Sequence, residues 1–201
     1  MDRQTYLDRK QYLLNFIGLT KSTAELVRDL PGGIKQKVSL AAAMLHDPSI
    51  VFLDEPTAGV TPASRASFWL LIRQLADSGK TVFVTSHYLD EVEQCHRIAL
   101  MRSGEIVALG SAQELKDQEF PHGMLALGPK HNDLKSILSI LAKDSRVSSI
   151  QPHGLKYHLV PQNTDATESL RRELAVDFEI EKIMPTMEDV FIRVVSGKKH
   201  D

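Results

Sequence analysis

Ile50-Val51-Phe52-Leu53-Asp54-Glu55-Pro56 is the stretch from which the rest of this chain is read. Four consecutive apolar residues have the length of a strand. Unbroken rather than alternating apolarity fits a parallel strand covered on both faces. Two adjacent carboxylates then close it, and Pro56 stops it because proline has no N–H to give a ladder. In open parallel sheets, ligands bind outside the carboxyl ends of the strands. A carboxylate at Asp54 can hold a hydrated Mg²⁺, a cation that keeps most of its waters. Glu55, pointing differently, can orient or deprotonate an attacking water. A buried strand with polar residues at its exit carries the same letters, so the neighbouring segments have to decide.

Upstream, Leu30-Pro31-Gly32-Gly33-Ile34-Lys35-Gln36 leads into an alanine-rich helix predicted over Gln36–Leu45. Two glycines before a helix are either a plain turn or a place where uncovered N–H groups meet an anion such as phosphate. Further upstream, Leu13, Phe16, Ile17 and Leu19 give residues 9–19 helical spacing, with Gly18 near the end and a short helix expected at Ser22–Arg28. Downstream, residues 63–77 carry Phe68, Leu71, Ile72 and Leu75 on one helical face, and Gly79 closes the helix. Thr81–Thr85 reads as a second buried strand ending in Ser86-His87. A histidine there can reach a γ-phosphate beside the first strand's carboxylates, or serve only the fold. A helix over Leu89–Cys95 follows, then strands Arg97–Met101 and Glu105–Leu109 around a Ser103–Gly104 turn. Ser111 with Glu114 forms a capping box for the next helix.

Around Phe120–Gly123 the pattern changes. Strands near Met124–Leu127, Val147–Gln151, Lys156–Val160 and Phe178–Ile183 are interleaved with helices at Leu134–Lys143 and Glu168–Ala175. This is a small α+β unit with its own apolar positions, so a boundary is expected near residue 120. The fold class is therefore α/β, a partial parallel sheet followed by a small α+β domain.

Composition excludes several alternatives. The 24 basic and 26 acidic residues leave a formal charge of −2, which gives no electrostatic footprint for nucleic acid. A single cysteine, Cys95, excludes an internal disulfide framework and suits a reducing cytoplasm. Met1–Gln11 is too polar to be expected as a signal peptide, and no stretch approaches the roughly 20 apolar residues of a membrane helix. Cys95-His96 lacks the spacing of a metal site, and Ser64, Ser67 and Ser86 lack that of a hydrolase nucleophile. Lys198-Lys199-His200 is expected to be a solvated tail.

Taken in order and spacing, the segments over residues 9–118 resemble the ATP-binding cassette (ABC) family. Leu30–Gln36 resembles its signature motif, Ile50–Pro56 its Walker B strand, Thr57–Pro62 its D-loop and Ser86–His87 its switch-histidine loop. The resemblance implies a partial P-loop NTPase sheet with a remnant of the helical subdomain, residues 1–120, and a small accessory domain, 121–201. It also implies Asp54 as the Mg²⁺-water ligand, Glu55 as general base and His87 as γ-phosphate sensor. Gly32, Gly33, Lys35 and Gln36 would contact ATP held by a second, head-to-tail cassette. Met184–Phe191 resembles the close of ABC-2 and drug-exporter cassettes, which implies an ATPase subunit on the cytoplasmic face of a membrane permease. Three departures stand out: Pro31 replaces the signature serine, Thr61 replaces the D-loop aspartate, and no Walker A loop or Q-loop is found. Gly79-Lys80-Thr81 imitates the end of a G-x-x-x-x-G-K-[ST] loop, but Gln74 replaces its first glycine and a strand follows it. These departures leave open a degenerate, non-catalytic cassette acting as an interaction module. A soluble ABC ATPase acting on ribosomes is a further alternative, which the bulk charge and the exporter-like ending disfavour.

Overall fold

A computed structural model describes residues 1–19, 26–130 and 135–195. The chain forms two compact units, Met1–Tyr88 and Leu89–Asp201.

In the first unit, helix α1 (Arg3–Phe16) opens at Arg3 rather than at residue 9. Asp2 supplies the reason, because its carboxylate accepts the Thr5 N–H at 2.9 Å and caps an otherwise polar first turn. Gly18, at φ +74°, ends it as expected. The helix expected at Ser22–Arg28 lies mostly outside the described residues, and its described end is a 3₁₀ turn, Val27–Asp29. Helix α2 (Gly32–Ala43) starts at the glycine pair itself, ahead of the predicted Gln36. Strand β1 (Ile50–Asp54), helix α3 (Pro62–Asp77) and strand β2 (Thr81–Thr85) follow. Thr61 caps α3, Pro62 occupies its first turn, and Phe68, Trp69, Leu71, Ile72 and Leu75 are its buried face.

β1 and β2 pair in parallel, Ile50 opposite Thr81 through Asp54 opposite Thr85. The expectation of cover on both faces is corrected. Val51 is buried, but Phe52 is 76% and Phe83 57% exposed, and their rings stack on the open face with centroids 5.2 Å apart. α3 packs on β2, and among the described residues of this unit no second layer shields the opposite side.

The second unit opens with α4 (Leu89–Val92), which ends short of the predicted Cys95 as the chain turns at Gln94 and Cys95. β3 (Ile98–Arg102) and β4 (Glu105–Gly110) form an antiparallel hairpin. Its turn residues Ser103 and Gly104 have φ of 52° and 84°, the left-handed pair that matches strand twist. α5 (Ala112–Glu119) carries the expected capping box of Ser111 and Glu114. Then come β5 (Met124–Pro129), α6 (Lys135–Leu141), β6 (Val147–His153), β7 (Lys156–Pro161), α7 (Thr164–Leu174) and β8 (Phe178–Ile183). They build an antiparallel sheet in the order β6-β7-β5-β8, the split β-α-β arrangement. Leu125, Leu127, Leu159 and Leu170 are wholly buried in its core.

A final helix, α8 (Met187–Val195), joins a second core. Its Met187 and Val190 cluster with Ile98, Leu100, Leu115 and Phe120 as well as with Met124 and Val160. Because that cluster straddles residue 120, the compact units divide after Tyr88, ahead of the change in sequence pattern.

Candidate functional site

The register of β1 and β2 sets the first contacts. Asp54 and Thr85 are paired at the carboxyl ends of the two strands. The Thr85 hydroxyl donates to Asp54 Oδ1 at 2.6 Å and accepts the Glu55 N–H at 3.0 Å. One hydroxyl therefore uses both its donor and an acceptor lone pair. Glu55 departs from the strand with φ +43°, in the left-handed region. That is unusual for a side chain with a Cβ, more so before a proline, and costs about 1–3 kcal/mol. The turn swings the Glu55 side chain toward the end of β2, where Oε2 lies 2.7 Å from His87 Nδ1.

A carboxylate oxygen accepts, so in this contact the Nδ1–H of His87 donates to Glu55 Oε2. His87 is 60% and Glu55 36% exposed, so the pair contributes little to stability and opens to solvent. The segment holding His87 is fixed next door. The Arg65 guanidinium of α3 lies 3.6 Å from the centre of the Tyr88 ring, and the Tyr88 N–H donates to Ser86 Oγ. Asp54, Glu55 and His87 are thus brought together through Thr85, which sequence reasoning missed. Its place at the end of the second strand could be read from the sequence, but its standing level with Asp54 comes from the register.

Gly32, Gly33, Lys35 and Gln36 belong to the opening turns of α2 and meet a different neighbourhood. A Cβ on Gly33 would fall 2.7 Å from Ser64 Oγ, so this glycine lets α2 approach α3 closely. Beside Gly32 the space is open, with Val60 nearest at 4.0 Å. Lys35 and Gln36 are half-buried. Lys37, not singled out from sequence, ties the two helices through Ser67 Oγ at 2.7 Å.

The residues present fit a nucleotide with its metal. The exposed Asp54 carboxylate with the Thr85 hydroxyl is an oxygen set for a hard, hydrated cation. A ring N–H of His87 and the uncovered N–H groups of Gly32 and Gly33 suit phosphate oxygens. Gly79-Lys80-Thr81 is no part of this. Gly79 has φ +88°, Thr81 starts β2, and Lys80 Nζ is committed to Asp47 Oδ1 and the Pro48 carbonyl, both at 2.8 Å. The Lys80 contact, with Arg9 beside it, holds the Asp47 carboxyl below its ordinary range. Among the described residues no helix is long and apolar enough to cross a membrane.

Two parallel strands, the first ending in Asp54 and Glu55, next to a glycine-opened helix, give the class as an α/β fold of the P-loop NTPase type, present in part. Residues 3–58 match the family described as "ABC transporter". A probable multidrug ABC transporter ATP-binding protein, YbhF of Escherichia coli strain K12, is 45% identical over 101 residues, 50% of this chain and 18% of that protein. An ABC transporter ATP-binding protein of Synechocystis is 33% identical over 184 residues, 90% of this chain and 50% of its own length. The chain therefore spans half or less of these relatives. A solved ATP-binding cassette of an ABC transporter is 27% identical with a TM-score of 0.51, covering 54% of this chain and 43% of that one. Over these stretches the chain is similar to ABC transporter ATP-binding proteins.

Proposed function

We propose that this chain contributes the signature, Walker B, D-loop and switch-histidine elements of an ABC exporter ATPase that couples MgATP hydrolysis to transport through a membrane permease. The observation that carries the reading is the connected set Asp54–Thr85–Glu55–His87 across two parallel strand ends. Asp54 is suited to hold a water of Mg²⁺, and Glu55 to take the proton of the attacking water. His87 would exchange its hydrogen bond with Glu55 for one to phosphate. Mg²⁺, when bound, would neutralise charge developing on the phosphates. Gly32, Gly33, Lys35 and Gln36 would face ATP on a second cassette in a head-to-tail dimer. The functional division is proposed at residue 120, with 1–120 as cassette and 121–201 as accessory domain, on the cytoplasmic face of the membrane. The exporter assignment draws on the multidrug name of one relative and on the Met184–Phe191 ending.

The test uses a complete cassette in which this chain is joined to a P-loop-bearing segment. Glu55→Gln there should preserve ATP binding and lower turnover by about 10²-fold or more, the scale of a lost general base. Near-normal turnover would remove Glu55 from that role. The 201-residue chain by itself should give no steady MgATP turnover, because phosphoryl transfer rests on positioning the phosphates and no P-loop sequence is present.

A second reading, a non-catalytic interaction module, is favoured by Thr61 and Pro31. Thr61 is occupied in capping α3, its Oγ1 accepting the Ser64 N–H, and Pro31 adds no side-chain hydrogen bond to α2. A complete cassette that pairs but does not turn over ATP would select this reading.

A further inference from the structure

We propose that His153, His158 and Asp189 form a divalent transition-metal site, of the kind zinc occupies, in the second unit and independent of the nucleotide chemistry. The three offer one ligand atom each, all within 4.8 Å of one another. Topology assembles them from separate segments. In the β6–β7 register, His158 stands opposite Gln151, which makes His153 its diagonal neighbour on the same face. Asp189 arrives from the first turn of α8.

The ligands are held as a metal site needs. His158 is buried, and its Nδ1 sits 2.9 Å from Asp189 Oδ1. Zn–N and Zn–O bonds of about 2.0–2.2 Å in a tetrahedron put neighbouring ligand atoms roughly 3.3–3.5 Å apart. Opening this hydrogen bond around an ion is therefore a shift of a few tenths of an ångström. Asp189 Oδ2 is meanwhile anchored by the Thr186 N–H at 2.8 Å and by its hydroxyl at 2.7 Å. This is the outer support that orients a ligating carboxylate.

His153 supplies the third ligand and the entry path. It is exposed, at the end of β6, just before Gly154 with φ +58°. Its ring now stacks on His158 with centroids 4.1 Å apart and planes 13° from parallel. A turn of this solvent-facing side chain would exchange stacking for ligation. Three protein ligands leave a fourth position to water. The ion would clip the β6–β7 hairpin to the start of α8.

The test is zinc titration of the purified, chelator-treated 201-residue chain by calorimetry, with cobalt(II) absorption to read coordination. Saturable binding of one Zn²⁺ at micromolar or better affinity is expected, with a rise in thermal midpoint. His153→Ala, an exposed change that leaves the fold intact, should weaken binding at least about 10-fold. Asp189→Asn, which keeps a capping side chain on α8, should do the same, each variant being checked by circular dichroism. No saturable binding by the unaltered chain overturns the proposal. So does affinity unchanged in either folded variant, which would move the ion to other histidines.

Discussion

The two sheets differ most in what covers them. In the first unit, β1 and β2 put Phe52 and Phe83 into water on one face. In the second, β5 and β7 bury Leu125, Leu127 and Leu159 completely. Both sets of strands read as apolar in sequence. Apolarity states how much surface asks for cover, and the cover itself comes from elements that the strand's own letters do not name. α6 and α7 supply it to the second sheet, through Leu141, Ala166, Leu170 and Leu174. The first sheet has α3 on one side only.

The largest effect that sharpens this contrast concerns the straddling core. Residues 121–201 contain the whole cluster around Leu125, Leu159 and Phe178, so that segment should fold alone. It should nevertheless be less stable than 89–201, because Ile98, Leu100, Leu115 and Phe120 leave Met187 and Val190 uncovered when removed. At about 1.5–3 kcal/mol per buried apolar side chain, a difference of at least about 3 kcal/mol is expected in urea unfolding. Equal stabilities would mean that the hairpin and α5 add nothing to the α+β core.

Leu159→Ala should cost about 2–5 kcal/mol, as truncation in a close-packed core does. Phe52→Ser, on the open face, should cost under about 1 kcal/mol, the order of one ring–ring contact. It should also reduce self-association, since exposed apolar strands invite pairing. Paired measurements by chemical unfolding and sedimentation would break the comparison if Phe52→Ser proved as damaging as Leu159→Ala.

The fold was legible wherever a local signal carried the decision. Ser103-Gly104, the Ser111–Glu114 box and Gly79 each announce a boundary through backbone conformation or a cap, and each is found where expected. Strand β8 matches its predicted limits, Phe178–Ile183. Helix starts were less legible. Asp2 and Pro31 occupy the N-cap positions ahead of polar or glycine-rich turns that carry no apolar period. At the candidate site, Asp54, Glu55 and His87 could be named from strand ends. Thr85 could not, because its role depends on the register between two strands. His153, His158 and Asp189 were hidden further, since a hairpin register and a distant helix must be known together before the three are seen to meet.

The smallest predicted effect tests whether charge or packing holds the loop between α6 and β6. Asp144 accepts from the Arg146 N–H at 2.8 Å and from its guanidinium, which also reaches Glu173 at 2.8 Å. The hydrogen bonds and charge of Arg146 lower the Asp144 carboxyl below its ordinary range. A folded-state pKa below the unfolded one stabilises the fold at pH above the unfolded value, about 3.9 for aspartate, and the benefit is lost as pH falls through the folded value. Asp144→Asn should therefore destabilise the chain measurably at pH 7, and the difference from the unaltered chain should shrink below about pH 4. If packing rather than charge fixed the loop, the difference would persist on acidification. Thermal unfolding of both proteins at pH 7 and in the acid range distinguishes the two, and the size of the gap should remain below that of Leu159→Ala, since partly solvated ion pairs in this setting are screened.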